Sequence, residues 1–201
     1  MRASAIVLAA GRSRRMGKPK LALPFRGNTV LGIVLSSLAR PGIEECIVVL
    51  GHHRESIEPI VDRMRLAGCP LVKMTNPDPE GDMASSIREG VRASSAGADW
   101  LLITPGDLPL LQGQSVDQLL AEAANVNHLK RPPVLVPTCS GRGGHPVAVP
   151  ETLRADILAS PPGWSLYDLV HSPSYPVREV DVLDEGIFRD LDVPEDLREL
   201  E

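Results

Sequence analysis

An α/β fold built on a largely parallel sheet is what this sequence predicts, and three observations predict it. Short apolar runs rich in β-branched residues alternate along the chain with stretches of helical period. A loop rich in glycine and arginine follows directly on the first apolar run, at the strand end where an open α/β sheet keeps its ligands. The chain has 201 residues, which suits a single domain over 1–201, and neither an internal repeat nor a long linker divides it.

Ser4 to Ala9 is the first predicted strand. Leu31, Val34, Leu35 and Leu38 recur at i, i+3, i+4 and i+7, so Thr29 to Ala39 should form a helix with one buried stripe, stopped by Pro41 and Gly42. Cys46 to Leu50 reads as the second strand, and Ile57, Ile60, Val61 and Met64 stripe the next helix. Leu71 to Met74 is the third strand, after which Met83, Ile87 and Val91 align on one helix face. Trp100 to Thr104 is so continuously apolar that a fourth strand buried on both faces is expected.

Ser115 followed by Gln118 has the spacing of a capping box, and Val116, Leu119, Leu120 and Ala123 give that helix its apolar side. Val134 to Pro137 and Pro146 to Val149 are two further short strands around the loop Thr138 to His145. Pro161, Pro162, Pro173 and Pro176 then break the chain into short pieces. Only Leu153 to Leu158, Ser165 to Val170 and the tail after Pro194 read as helical there.

Composition narrows the function classes. The net charge is −5 and aromatic residues make up 3% of the chain, so neither a basic face for a nucleic-acid backbone nor stacking platforms for single strands are expected. The cysteines Cys46, Cys69 and Cys139 are odd in number and widely spaced, which argues against structural zinc and against a disulfide framework. The N-terminal apolar run reads better as a strand feeding a turn than as a signal peptide. No apolar stretch approaches the roughly 18–20 residues that span a bilayer. A soluble cytoplasmic protein with no membrane contact is the resulting expectation.

The segment from Ala9 to Lys20 carries two glycines, three arginines, two lysines and no acid. Small residues let a ligand approach the backbone, successive N–H groups make an anion-binding concavity, and neighbouring cations suit a triphosphate. A Walker A loop does not fit, because five residues rather than four lie between Gly11 and Gly17, and Lys18 precedes Pro19. A dinucleotide fingerprint fails too, since Pro146 stands at the third glycine of Gly141-Arg142-Gly143-Gly144. A solvated basic turn is the plain alternative.

Four other places carry candidate chemistry. Asp107, in Gly106-Asp107-Leu108-Pro109, follows the fourth strand; it reads as an ordinary turn or as a carboxylate placed for Mg²⁺. Asp190 and Asp192 lie at i and i+2, so an extended backbone would turn both to one face; Asp192 could equally cap a tail helix starting at Pro194. Gly81 and Ser85 open the helix after the third strand, where backbone N–H groups are free. Gly144, His145 and Pro146 lead from a flexible loop into a strand, and a lone histidine is more often structural than metal-binding.

Together these segments resemble a family. Leu8-Ala9-Ala10-Gly11-Arg12-Ser13-Arg14-Arg15-Met16-Gly17-Lys18-Pro19-Lys20 is very similar to the LAAGxSxRMGxxK signature of nucleotidyltransferases that act on sugar phosphates, methylerythritol phosphate and molybdopterin, above all the MobA/MocA-like group. The resemblance implies a three-layer Rossmann-like nucleotidyltransferase fold with a mostly parallel mixed sheet. It puts Leu8, Ala9, Ala10, Gly11 and Ser13 along the nucleotide, Arg15 on the triphosphate and Lys20 at the α-phosphate, and it adds Gly81 and Ser85 at the base and ribose. Asp107 matches the metal-binding acid of a GDxP element. Asp190-Leu191-Asp192-Val193-Pro194 is similar to a DIDTPEDL element, with Val193 where Thr is usual, that supplies a second metal carboxylate; Asp192 is preferred to Asp190. Gly144-His145-Pro146-Val147 resembles an element beside the acceptor, whereas Pro162 to Leu166 departs from the Gly-Asp-x-Gly usual there.

What the resemblance implies is Mg²⁺-dependent transfer of a nucleoside monophosphate from a nucleoside triphosphate to a small phosphorylated acceptor, with catalysis by Arg15, Lys20 and Asp107. CMP is favoured by Ala9-Ala10-Gly11, since guanylyl members usually show Ala-Gly-Gly. Molybdopterin is the expected acceptor, with a molybdoenzyme or chaperone as partner, and the state is monomer or dimer. The same chemistry on phospholactate or a sugar phosphate, and nucleotide binding without turnover, are the competing expectations. A nucleic-acid partner is not expected.

Overall fold

The structure, a computed structural model, describes residues 1–64, 70–78, 81–193, 195 and 196. The opening apolar run forms strand β1 (Ala3–Ala9) at the centre of the sheet. Alternation sends Ala3, Ala5, Val7 and Ala9 into one apolar layer, and Ile6 and Leu8 into the other. A two-strand hairpin, β2 (Pro24–Phe25) and β3 (Asn28–Thr29), leads into helix α1 (Val30–Leu38). Thr29 caps that helix by accepting a hydrogen bond from the Gly32 amide at 3.1 Å.

There follow β4 (Ile43–Leu50), α2 (Arg54–Arg63), β5 (Leu71–Thr75), α3 (Met83–Ala93), β6 (Trp100–Pro105) and α4 (Gly113–Val126). The chain continues through β7 (Val134–Cys139), β8 (Arg142–Gly143), β9 (Val147–Pro150), α5 (Arg154–Leu158), α6 (Leu166–Val170) and β10 (Val177–Asp181). The sheet order is β10-β7-β9-β6-β1-β4-β5, with β8 paired to β7. β4, β1 and β6 are parallel, as are β4 with β5 and β10 with β7; β9 runs against both β6 and β7.

Three layers result. α1, α2 and α4 bury Leu35, Ile57 and Leu119 on one face, and α3, α5 and α6 bury Ile87, Ile157 and Leu169 on the other. Covered on both sides, Leu101, Leu102 and Ile103 of β6 are fully buried. Truncating one of them to Ala should cost about 2–5 kcal/mol.

Several sequence expectations need correction. Met83 is 58% exposed, and the buried stripe of α3 runs instead through Ala84, Ile87 and Val91. Ser115 caps nothing: α4 starts at Gly113, and the Ser115 hydroxyl donates to Asp184 Oδ2 at 2.8 Å. The loop Thr138 to His145 contains the β7–β8 hairpin, with Thr138 opposite Gly143. β10 escapes the period-2 test because it is an edge strand whose residues are mostly exposed. Cys46 and Cys139 are both buried. Cys69 and most of the expected tail helix after Pro194 lie outside the described residues. Among the described residues no helix is long and apolar enough to cross a membrane.

Candidate active site

β1, β4, β5, β6, β7 and β10 point the same way, so their carboxyl ends share one edge of the sheet. A cavity of about 1070 Å³ opens at that edge. One wall is the loop after β1. Ser13 turns it with φ at 48°, and the Ser13 carbonyl accepts from the amides of Met16 and Gly17, both at 3.1 Å. Ser13 Oγ accepts from the Lys20 amide at 3.2 Å, so the basic loop closes on itself and presents Lys20 inward.

The Lys20 ammonium joins three distant parts of the chain. It lies 2.5 Å from Asp107 Oδ2, just past β6, and 3.0 Å from Asp192 Oδ1, in the segment after β10. The Arg15 guanidinium reaches Asp192 Oδ2 at 2.7 Å. Backbone bonds fix this meeting point: the Gly106 amide donates to the Leu8 carbonyl at 3.0 Å, and the Leu191 amide donates to the Asp107 carbonyl at 3.0 Å. Burial by itself would lower the Lys20 pKa, but attraction to Asp107 and then Asp192 outweighs it and holds the ammonium above the ordinary lysine value. Asp192 is held below the ordinary carboxylate range, first by the Lys20 hydrogen bond and further by Arg15.

Asp107 has a second feature. Its Oδ1 is buried and has no hydrogen-bond partner among the described residues. An acceptor left bare in this way is costly, unless a ligand takes it up. Two carboxylates beside a cationic loop suit a hard divalent cation that keeps several waters and bridges to phosphate oxygens. Asp107 and Asp192 would hold it, with Asp190, exposed and on the same cavity wall, at its rim. Among the described residues no group of three or more His, Cys, Asp or Glu forms a closed metal cage.

The remaining expected residues divide by placement. Leu8, Ala10, Gly11, Ser13, Arg15 and Lys20 line the cavity, as do Gly81, Asp107, Gly144, His145, Asp190 and Asp192. Ala9, Ser85 and Pro146 are not among the lining residues. The methyl of Ala9 is in the core, and Pro146 is buried. The Ser85 hydroxyl donates to the Asp82 carbonyl at 2.8 Å and accepts from Asn76 Nδ2 at 2.8 Å. His145 is half-buried and forms part of the cavity wall. Its amide donates to the Ile187 carbonyl at 2.7 Å, and burial holds its imidazole below the ordinary histidine value. Gly144 has to be glycine, since a Cβ would stand 2.4 Å from the Ile187 carbonyl oxygen.

Sequence reasoning missed four contributors. Asp184 is buried and accepts from the Gln112 amide at 2.9 Å, the Gly186 amide at 2.8 Å and Ser115 Oγ, which fastens the segment carrying Ile187 and Asp192 onto α4. Asn76, also buried, donates to the hydroxyls of Ser85 and Ser86. Tyr167, 68% exposed, stacks on His171 with ring centroids 3.8 Å apart at 23°, and both rings line the cavity. The Asp82 carboxylate caps α3 at the Ser85 amide, 2.8 Å away, and also accepts from the Gly163 amide. Only Asp82 left a local signal, its position just before a helical stripe.

Comparison with known proteins gives a consistent set of likenesses. The family model of the MobA-like NTP transferase domain matches residues 5–172. A molybdenum cofactor guanylyltransferase of Cereibacter sphaeroides is 30% identical over 212 residues, covering 100% of this chain and 96% of that protein. The bifunctional protein GlmU of Syntrophomonas wolfei is 30% identical over 122 residues, 60% of this chain, and the match spans 26% of its length. The chain thus covers about a quarter of that relative. The crystal structure of Rv0371c from Mycobacterium tuberculosis H37Rv superposes with a TM-score of 0.82 at 28% identity, covering 100% of this chain and 98% of that one. A manganese complex of Rv0371c gives 0.78 at 26%, with the same coverage.

Proposed function

The chain belongs to the family of MobA-like NTP transferase domains, has their Rossmann-like α/β fold and is a nucleotidyltransferase; from that premise we propose that it moves CMP from CTP to molybdopterin and releases pyrophosphate. One observation carries the reading: Lys20 Nζ stands between Asp107 and Asp192 at the sheet edge, directly behind the glycine and arginine loop. Such a cluster offers a cation for the α-phosphate and two carboxylates for a divalent metal. Ala9-Ala10-Gly11 supports CTP, and the full-length relative named a guanylyltransferase makes GTP the comparison that matters.

In the proposed reaction a phosphate oxygen of the acceptor attacks the α-phosphorus, the bond to the β-phosphate oxygen breaks, and pyrophosphate leaves with that electron pair. No covalent enzyme intermediate is needed. The chain's contribution is alignment and charge. Ala10 and Gly11 let the nucleotide lie against the backbone, Arg15 meets the leaving phosphates, and Lys20 faces the charge that grows at the α-phosphate. Asp107 and Asp192 would hold Mg²⁺, which when bound supplies charge neutralisation at phosphate oxygens.

Tyr167, stacked on His171 in the wall of the same cavity, offers a flat face that suits a conjugated ring better than a sugar or a short aliphatic phosphate. The test is pyrophosphate release from the purified protein with MgCl₂ and either CTP or GTP, in the presence of molybdopterin, phospholactate or a sugar phosphate. Release with CTP and molybdopterin is expected. Release with GTP alone would overturn the base, release with another acceptor would overturn the acceptor, and nucleotide binding with no release would overturn the reaction.

A further inference from the structure

The basic loop is supported from a neighbouring element that the proposed reaction leaves without a role. Gly51, His52 and His53 link β4 to α2. Gly51 lies so close to the loop that a Cβ there would stand 2.6 Å from Ala10 Cβ, so the turn packs directly on the loop's start. From that turn His53 reaches across 41 residues of sequence, and its Nε2 lies 2.9 Å from the Arg12 carbonyl oxygen. With a carbonyl as partner, Nε2 carries the proton and donates. Just beyond Arg12, Ser13 holds its left-handed φ of 48°, a conformation that costs energy in a non-glycine residue. The bond from His53 therefore lands beside the bend that aims Arg15 and Lys20.

We propose that His53 is a positioning residue for the triphosphate: its Nε2–H pins the Arg12 carbonyl and keeps the 11–15 loop shaped for the phosphates before they arrive. The inference rests on the nucleotidyltransferase reading. Lys20 has its own anchors in Asp107 and Asp192, so the His53 bond serves nucleotide binding more than the chemical step. Losing a neutral hydrogen bond of this kind weakens binding about three- to tenfold.

The geometry separates this role from mere helix support. His53 is the N-cap of α2 and makes no side-chain cap bond. His53→Asn cannot reach the Arg12 carbonyl but is a better cap, so it should melt at or above wild type while binding nucleotide weakly. His53→Gln places an amide N–H at the depth of Nε2 and should restore binding. Isothermal titration with CTP and with GTP in MgCl₂, alongside melting of the free proteins, tests all three variants. Wild type and His53→Gln should bind alike, with His53→Ala and His53→Asn three- to tenfold weaker. In turnover, the KM for nucleotide should rise while kcat holds within about twofold. Equal binding by His53→Ala, or no rescue by His53→Gln, would overturn the proposal while leaving the transferase reading intact. Wild type that binds neither nucleotide would bring down that reading, and this inference with it.

Discussion

Lys20→Ala separates the two things the central ammonium does. In the folded protein Lys20 neutralises Asp107 and Asp192, whose side chains are 14% and 33% exposed. Removing it leaves Asp192 with Arg15 but takes the ammonium from Asp107, whose Oδ1 already lacks a partner among the described residues. The uncompensated burial should cost about 1–3 kcal/mol, which for a chain of this size is a fall in Tm of roughly 3–10 °C. Turnover should fall on the order of 10²-fold or more, as when one charge-stabilising donor is lost from a reaction centre. A third effect has the opposite sign. With the competing ammonium gone, Mg²⁺ alone should stabilise the variant more than it stabilises wild type, because a ligand taken up only by the folded state raises its melting point. Differential scanning fluorimetry with and without MgCl₂, beside pyrophosphate release, reads all three. Wild-type turnover in Lys20→Ala would refute the reasoning, and so would an Mg²⁺ shift no larger than that of wild type.

Other outcomes follow from the same geometry. Asp184→Ala strands the Gln112 and Gly186 amides and Ser115 Oγ, and urea unfolding should show a loss of about 3–5 kcal/mol, with Asp184→Asn losing less. Asp192, whose pKa is lowered in the folded state, stabilises the fold above the ordinary Asp value and stops doing so as pH falls through its folded value. Lys20, whose pKa is raised, stabilises below the ordinary lysine value and stops as pH climbs past its folded one. Asp192→Asn should therefore be less stable than wild type across about pH 5 to 10, with the gap closing in acid; a gap unchanged down to pH 2 would count against the pair. Tyr167→Ala should raise the KM for molybdopterin about three- to tenfold and leave that for CTP within twofold, in steady-state assays varying one substrate at a time.

Much of this was legible in the sequence because the relevant signals are local. The stripe Leu31, Val34, Leu35, Leu38 became α1, and the apolar run at Trp100 became a strand buried on both faces. The spacing from Ala9 to Lys20, read with Gly106-Asp107, was enough to anticipate Lys20 and Asp107 at one edge. Long-range partnership was not legible. Nothing near Asp184 announces that its donors sit on α4, nothing near His53 points to Arg12, and Ser115 looked like a cap because its real acceptor is 69 residues away. Met83 matched the helical period and still faces outward, because it is the first residue of α3 and the buried stripe passes through Ala84 instead. Between Asp190 and Asp192 the spacing offered only a shared face, and the preference for Asp192 came from the resemblance. Their difference comes from Lys20 and Arg15, which reach Asp192.

The account stands or falls on whether the carboxylate beyond β6 and the loop beyond β1 work as one centre. The most direct measurement is pyrophosphate release by wild type and by Asp107→Ala, with CTP or GTP and molybdopterin, across an MgCl₂ titration. Release by wild type that depends on Mg²⁺, reduced on the order of 10²-fold or more in the variant at every Mg²⁺ concentration, is the predicted result. Equal rates for the two proteins, or wild-type release that ignores Mg²⁺, would contradict it.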